Sequence, residues 1–149
     1  MASVIDYKAC PQCGGLFNTE FNYRTFEEWG FCTRCGAAYS HELKRDEQDR
    51  AIFDSEGKPI YISKELKGLG GLYTRNKEGF GCFQPFEEPV PKEEILNLIS
   101  EIESRDDIDS SKSYITRWDE ETQQIVAEYG ELPESFEEAM KEGKDESTN

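Results

Sequence analysis

The chain lacks the long apolar segment that a membrane-spanning helix needs. None of its apolar runs approaches the roughly 18 residues required to cross a bilayer. Residues 1–10 have neither the basic region nor the apolar stretch that begins a secretory signal. The sequence also has five cysteines. Without an export signal, these thiols are expected to stay reduced, which predicts a cytoplasmic protein that uses them for a metal rather than for disulfides.

Positive charge is scarce as well. The 149 residues carry 17 Lys and Arg against 32 Asp and Glu, for a net charge of −15. The imbalance is greatest in residues 91–149, with six basic and eighteen acidic residues, whereas residues 1–45 carry five of each. Because Lys and Arg contacts to phosphate dominate nucleic-acid affinity, this balance disfavours direct binding to nucleic acid and favours a basic protein partner. An acidic surface that only keeps the protein soluble is the alternative.

Residues 58–78 form a local exception to the acidic composition. Five basic residues there outnumber two acidic ones. The segment is therefore a candidate basic patch that could contact an anion.

Two cysteine pairs give the most specific chemical signal. Cys10 and Cys13 are separated by two residues, as are Cys32 and Cys35, and 18 residues lie between the pairs. This spacing is typical of zinc sites, because a tight turn aims both sulfurs of a pair at one point. A glycine follows each pair and can adopt the positive φ that such a turn requires.

The four cysteines predict a structural metal site. Four thiolates complete a tetrahedron around zinc and leave no coordination position open for a substrate. Iron uses the same four-thiolate geometry and stays an alternative. Thioredoxin-type redox chemistry is disfavoured, because the glycines after each pair do not suit the start of a helix.

The two cysteine turns resemble those of the zinc ribbon superfamily. They read Cys-Pro-x-Cys-Gly and Cys-x-x-Cys-Gly, and the resemblance covers residues 10–36. It implies a small β fold braced by zinc. Zinc ribbons bind nucleic acid, bind protein or brace a larger domain, so the resemblance does not decide the function. No family is recognised for residues 43–149.

The sequence predicts an α+β protein. An N-terminal zinc ribbon with four cysteine ligands is expected in residues 1–42, followed by an α+β region in 43–142 and a disordered tail in 143–149. The α+β region is expected to be a small antiparallel sheet of hairpins at 51–63, 71–84 and 113–130. One main amphipathic helix is expected at 91–104, because apolar residues recur there at helical spacing: Ile95, Leu98, Ile99 and Ile102.

Candidate catalytic residues are few. The single histidine, His41, is predicted to pack at the surface, since four cysteines already fill the metal site. Cys82 has aromatic neighbours and is predicted to be a small buried hydrophobe rather than a nucleophile paired with His41. The glycine-rich residues 68–73 lack both nucleotide-binding fingerprints and are predicted to connect strands.

Three functional classes follow from these observations. The favoured one is a non-enzymatic zinc-binding protein acting as an acidic protein–protein interaction module: an adaptor, an inhibitor or an immunity-type antagonist. Trp118, Tyr114 and Tyr129 are its candidate anchor residues, and a packed sheet explains their spacing equally well. The second class is a nucleic-acid-associated zinc ribbon in transcription, replication or RNA handling. The third is an enzyme of unrecognised type.

Overall fold

The described residues form two antiparallel sheets and two α-helices, with a short 3-10 helix at Ser110–Lys112. The computed structural model describes residues 2–147, with side chains up to residue 141. The architecture is broadly α+β, as the sequence predicts. Among the described residues, no helix has the length and apolar content needed to cross a membrane.

The first sheet is a five-stranded meander in which each strand pairs antiparallel with the next in the chain. Its strands are β1 Ser3–Ala9, β2 Leu16–Asn22, β3 Glu27–Cys32, β4 Ala38–Leu43 and β5 Tyr61–Leu66. Since the chain reverses at every turn, the β1–β2 and β3–β4 turns lie at the same end of the sheet. These two turns contain the cysteine pairs.

Two aromatic rings stack on one face of this sheet. The rings of Phe17 in β2 and Tyr39 in β4 stack with their centroids 5.7 Å apart. Gly30 in β3 lies between them, and a Cβ atom there would come within 2.1 Å of the Phe17 ring. The missing side chain lets the two rings pack across the intervening strand.

The second sheet has four strands in the order β7-β6-β8-β9. They are β6 Gly70–Arg75, β7 Gly81–Pro85, β8 Tyr114–Asp119 and β9 Gln124–Tyr129. The helix α1 spans Lys92–Ser104 and begins directly after Pro91. Its apolar stripe buries Ile95 and Ile102 against Ile108 and Ile115.

The two sheets share a second apolar core at the cysteine end of the first sheet. Trp118 and Ile125 of the second sheet pack in one cluster with Cys10, Cys32 and Cys35. The cysteine turns are therefore part of the contact between the sheets, rather than part of a separate module.

The structure corrects three details of the predicted organisation. Residues 51–63 do reverse direction, with an antiparallel bridge between Phe53 and Pro59 and hydrogen bonds from Asp54 N to Lys58 O and from Ile60 N to Ile52 O. They do not form the extended two-stranded hairpin predicted, because the regular strand that begins at Tyr61 pairs with β4. The first sheet therefore extends to Leu66, beyond the boundary predicted at residue 42. The helix α2, Phe136–Ser147, includes residues 143–147 of the predicted disordered tail, and residues 148–149 lie outside the described part.

Gly70 and Gly79 offer a matched test of how β6 joins β8. Both have positive φ, of 96° and 99°. A Cβ at Gly70 would lie 2.1 Å from the carbonyl oxygen of Thr116, whereas one at Gly79 would meet nothing within 4 Å. We expect Gly79→Ala to cost about 1 kcal/mol of unfolding free energy from backbone strain alone.

We expect Gly70→Ala to cost about 1–3 kcal/mol more than Gly79→Ala, because the added methyl group must push β6 away from β8. Urea denaturation of both metal-loaded variants measures this difference. Equal losses of stability would contradict the close approach of the two strands at Gly70.

Candidate metal centre

The two cysteine turns have the same backbone geometry. In the first, Cys10 N donates to Gly15 O at 2.8 Å and Gly14 N donates to Cys10 O at 2.9 Å. In the second, Cys32 N donates to Ala37 O and Gly36 N donates to Cys32 O, both at 2.9 Å. Gly14 and Gly36 adopt φ of 77° and 86°, the left-handed conformation expected for the glycine after each pair.

The four cysteine sulfurs converge at one point. All four lie within 4.8 Å of one another. The Sγ atoms of Cys10 and Cys35 are 3.7 Å apart, and those of Cys13 and Cys32 are 3.6 Å apart. A regular tetrahedron with Zn–S bonds of about 2.3 Å has sulfur–sulfur edges of about 3.8 Å. The cluster therefore has the size of a four-thiolate metal site.

Backbone amides point at these sulfurs. Gly15 N donates to Cys13 Sγ at 3.3 Å, and Ala37 N donates to Cys35 Sγ at 3.4 Å. Arg34 N donates to Cys32 Sγ, also at 3.4 Å. Such donors stabilise the negative charge of thiolates.

The cluster is buried and electrostatically coupled. Cys32 and Cys35 have no exposed surface, and Cys10 is 4% exposed. Hydrogen bonds from Cys13, Cys32 and Cys35 hold the pKa of Cys10 well below its usual range, while the hydrogen bond with Cys10 raises the pKa of Cys35. All four sulfurs can be thiolates together only when a cation offsets their mutual repulsion. The donor set thus fits a divalent ion that prefers sulfur, and zinc is such an ion.

The second sheet binds the backbone of the second cysteine turn. Three consecutive carbonyl groups of this turn accept hydrogen bonds from the second sheet. The bonds are Tyr114 Oη to Thr33 O at 2.7 Å, Thr116 Oγ1 to Arg34 O at 2.6 Å and Gly70 N to Cys35 O at 2.7 Å. Burial raises the pKa of Tyr114 to about 12, so its hydroxyl stays protonated and donates at neutral pH.

The first cysteine turn is held by the loop between β5 and β6 and by the start of α2. The Gln12 side chain pairs with Gly68 through two 2.7 Å hydrogen bonds, one from Gln12 Nε2 to Gly68 O and one from Gly68 N to Gln12 Oε1. Phe136 N donates to Gly14 O at 2.9 Å. The glycine-rich loop therefore also braces the metal site, a role that its sequence does not reveal.

The two other candidate residues lie apart from this centre and from each other. His41 lies in β4. Its Nδ1 atom is 2.8 Å from the hydroxyl oxygen of Ser63, and its ring stacks on that of Tyr61. Cys82 lies opposite Thr74 in the second sheet. It is exposed, so the prediction of a buried Cys82 was wrong. Its position at the edge strand β7 explains the exposure, since one side of that strand has no neighbouring strand in the described sheet.

The predicted basic patch at 58–78 is divided between the two sheets. Lys64 belongs to β5 and Arg75 to β6. Lys67 forms an ion pair with Glu120, and Lys58 lies 3.9 Å from Glu56. Part of the basic charge is therefore offset by carboxylates within the chain.

The candidate anchor residues of the 113–130 segment serve the protein's own packing. Trp118 is 7% exposed and packs in the cysteine-containing core. The Tyr114 hydroxyl is bonded to the second cysteine turn, and Tyr129 packs against the isoleucine core beneath α1. These contacts within the chain argue against a role for the three residues as anchors for a partner.

No known family, no characterised protein and no solved structure shows a significant match to this chain.

Substitution of single cysteines tests the metal centre, with Cys82 as the matched control. We expect Cys35→Ser to lose bound metal and to destabilise both sheets, because the cysteine turns lie in their shared core. Cys82→Ser removes a thiol outside the cluster and should keep about one metal ion per chain. Elemental analysis and far-ultraviolet circular dichroism measure these effects. Full metal content in Cys35→Ser would contradict the assignment of Cys35 as a ligand.

Thr116 tests the link between the second sheet and the cysteine turn. Its hydroxyl donates to Arg34 O and accepts from Gly71 N at 3.2 Å, and the residue is fully buried. We expect Thr116→Val to cost about 2–4 kcal/mol, because both backbone groups lose a partner in a buried place. Thr74→Val, in the half-buried part of β6, should cost less than about 1 kcal/mol. Similar losses in urea denaturation would contradict the role of Thr116.

Proposed function

We propose that the chain is a non-enzymatic zinc-binding protein that acts as an acidic protein–protein interaction module. Zinc is the proposed ion because four buried thiolates give a closed tetrahedral site of the kind that structural zinc occupies. The resemblance of residues 10–36 to zinc ribbons supports the same choice. Since thiolate ligands must stay reduced, the cytoplasm is the proposed compartment.

The uneven distribution of charge carries the proposal of a basic protein partner. Residues 91–149 hold eighteen acidic and six basic residues. On α1 the acidic residues are exposed, namely Glu93, Glu94, Glu101 and Glu103. Charges of one sign on an exposed surface speed encounters with partners of the opposite charge and disfavour nucleic acid.

A groove beside α1 is the proposed contact site. It encloses about 360 Å³ and is lined by Phe86, Val90, Leu98, Glu94 and Asn97. The apolar side chains suit the aliphatic stem of a Lys or Arg residue, and Glu94 suits its charged head.

Charge reversal at Glu94 tests this proposal. The tagged protein would be used to recover partners from extracts of its native cells at low and high salt, and each recovered partner would be purified for titration. We expect Glu94→Lys to weaken binding of the basic partner about tenfold, equivalent to about 1.4 kcal/mol. Glu47→Lys is the matched control, because Glu47 is exposed, lies outside the acidic region and undergoes the same change of charge.

The proposal requires binding that weakens with salt, is reduced by Glu94→Lys and is unchanged by Glu47→Lys. Equal effects of both substitutions would indicate only a general response to net charge, and would contradict the groove as the contact site. Recovery of nucleic acid alone would contradict a protein partner.

A further inference from the structure

Strand β1 forms an open edge of the first sheet. Within the described residues its one strand neighbour is β2, and all seven of its residues are exposed. The exposed residues include three large apolar ones, Val4, Ile5 and Tyr7, of which Ile5 is 67% exposed. An exposed edge of this kind offers unpaired backbone groups to another strand.

The hydrogen bonds of β1 establish which residues face outward. Ala2 O accepts from Tyr23 N, Asp6 O accepts from the Thr19 hydroxyl, and Cys10 N donates to Gly15 O. The even-numbered residues thus direct their backbone groups toward β2. Because direction alternates along a strand, the odd-numbered residues direct theirs toward the open edge: Ser3, Ile5, Tyr7 and Ala9.

We propose that β1 pairs antiparallel with β1 of a second copy of this chain, with the two-fold axis at Tyr7. In this register Ile5 faces Ala9 of the second copy, and the outward backbone groups of Ile5, Tyr7 and Ala9 become bonded in both strands. Ser3 falls opposite Pro11, beyond the end of β1, and stays outside the pairing. Asp6 then faces Lys8 of the second copy, and the symmetry repeats this pair. The Asp6–Lys8 positions are non-hydrogen-bonded, so their side chains lie close together.

Charge selects this register over its neighbours. Moving the axis by one residue toward the N-terminus places Asp6 opposite Asp6 of the second copy. Moving it by one residue toward the C-terminus places Lys8 opposite Lys8. Both arrangements oppose like charges, which destabilises paired strands. The sequence of β1 is therefore complementary to itself only with the axis at Tyr7.

The contacts that Asp6 and Lys8 make within one chain can be replaced by contacts with the second copy. Asp6 Oδ1 accepts a 2.8 Å hydrogen bond from Tyr7 N, one of the outward amides. In the dimer Tyr7 of the second copy provides that acceptor, which releases Asp6 to pair with Lys8. The Lys8 ammonium lies 5.2 Å from the centroid of the Tyr39 ring, and its flexible side chain can turn to the edge.

The distribution of charge also favours a second copy at this edge. Residues 1–45 are balanced between basic and acidic residues, so two such surfaces approach without the repulsion of the acidic region. The edge is short, and the contact is expected to lie at the low end of specific interface areas, below about 1,200 Å². We therefore expect a weak dimer whose population rises with protein concentration.

Complementary charge reversals test the pairing in the full-length, metal-loaded protein. Sedimentation velocity should show the wild type passing from the 17.1 kDa monomer to twice that mass as concentration rises. Asp6→Lys places two lysines opposite each other, and Lys8→Asp places two aspartates opposite each other. Each variant alone should dimerise about tenfold more weakly, whereas an equimolar mixture should form heterodimers with wild-type affinity because opposite charges again face each other.

The mixture distinguishes lost pairing from lost folding, since misfolded chains would not regain a dimer on mixing. Backbone amide exchange gives an independent measurement: Ile5 and Ala9 should exchange more slowly at high than at low concentration. A wild type that stays monomeric, single variants that dimerise as well as the wild type, or a mixture that stays monomeric would each overturn the proposal. Binding of some other chain at β1 without a dimer would overturn it as well.

Discussion

The convergence of four cysteine sulfurs within 4.8 Å is the constraint on which the rest of the structure depends. Each pair can be produced by a local turn, but bringing the pairs together requires both turns at one end of a sheet. A meander satisfies this requirement, because β2 and β3 carry the chain away from the first turn and back to the second. The spacing of 18 residues between the pairs matches this two-strand path.

The cysteine turns themselves depend on the second sheet. A tight turn leaves carbonyl groups without partners inside it, and burial of such groups is costly unless donors are provided. Tyr114, Thr116 and Gly70 supply these donors from the second sheet. Trp118 meanwhile packs in the same core as the cysteines. The metal site and the contact between the sheets are therefore one structural unit.

The features that follow local rules are the ones that sequence predicts well. The four cysteines could be identified because ligand chemistry fixes their spacing, and the buried face of α1 because helical periodicity marks Ile95 and Ile102. Pairing of β5 with β4 could not be identified, since residues 44–60 separate the two strands. Likewise, Thr116 binds Arg34 from 82 positions away, and nothing in either local sequence indicates this contact. The exposure of Cys82 depends on strand order, which is also a long-range property.

Charge is distributed unevenly between the two halves of the chain, and the core between the sheets sets how the surfaces of these halves lie relative to each other. Residues 1–45, which carry equal numbers of basic and acidic residues, include the open β1 edge, whereas the groove beside α1 borders the acidic residues 91–149. These surfaces differ in the partners they suit, because one offers backbone pairing and the other offers carboxylates beside an apolar groove. Their relative position is set by the core that contains Cys32 and Cys35, so an ion bound there stabilises both surfaces at once. Under these proposals, a metal held by the four cysteines would act on binding through the folded frame, without contacting a partner.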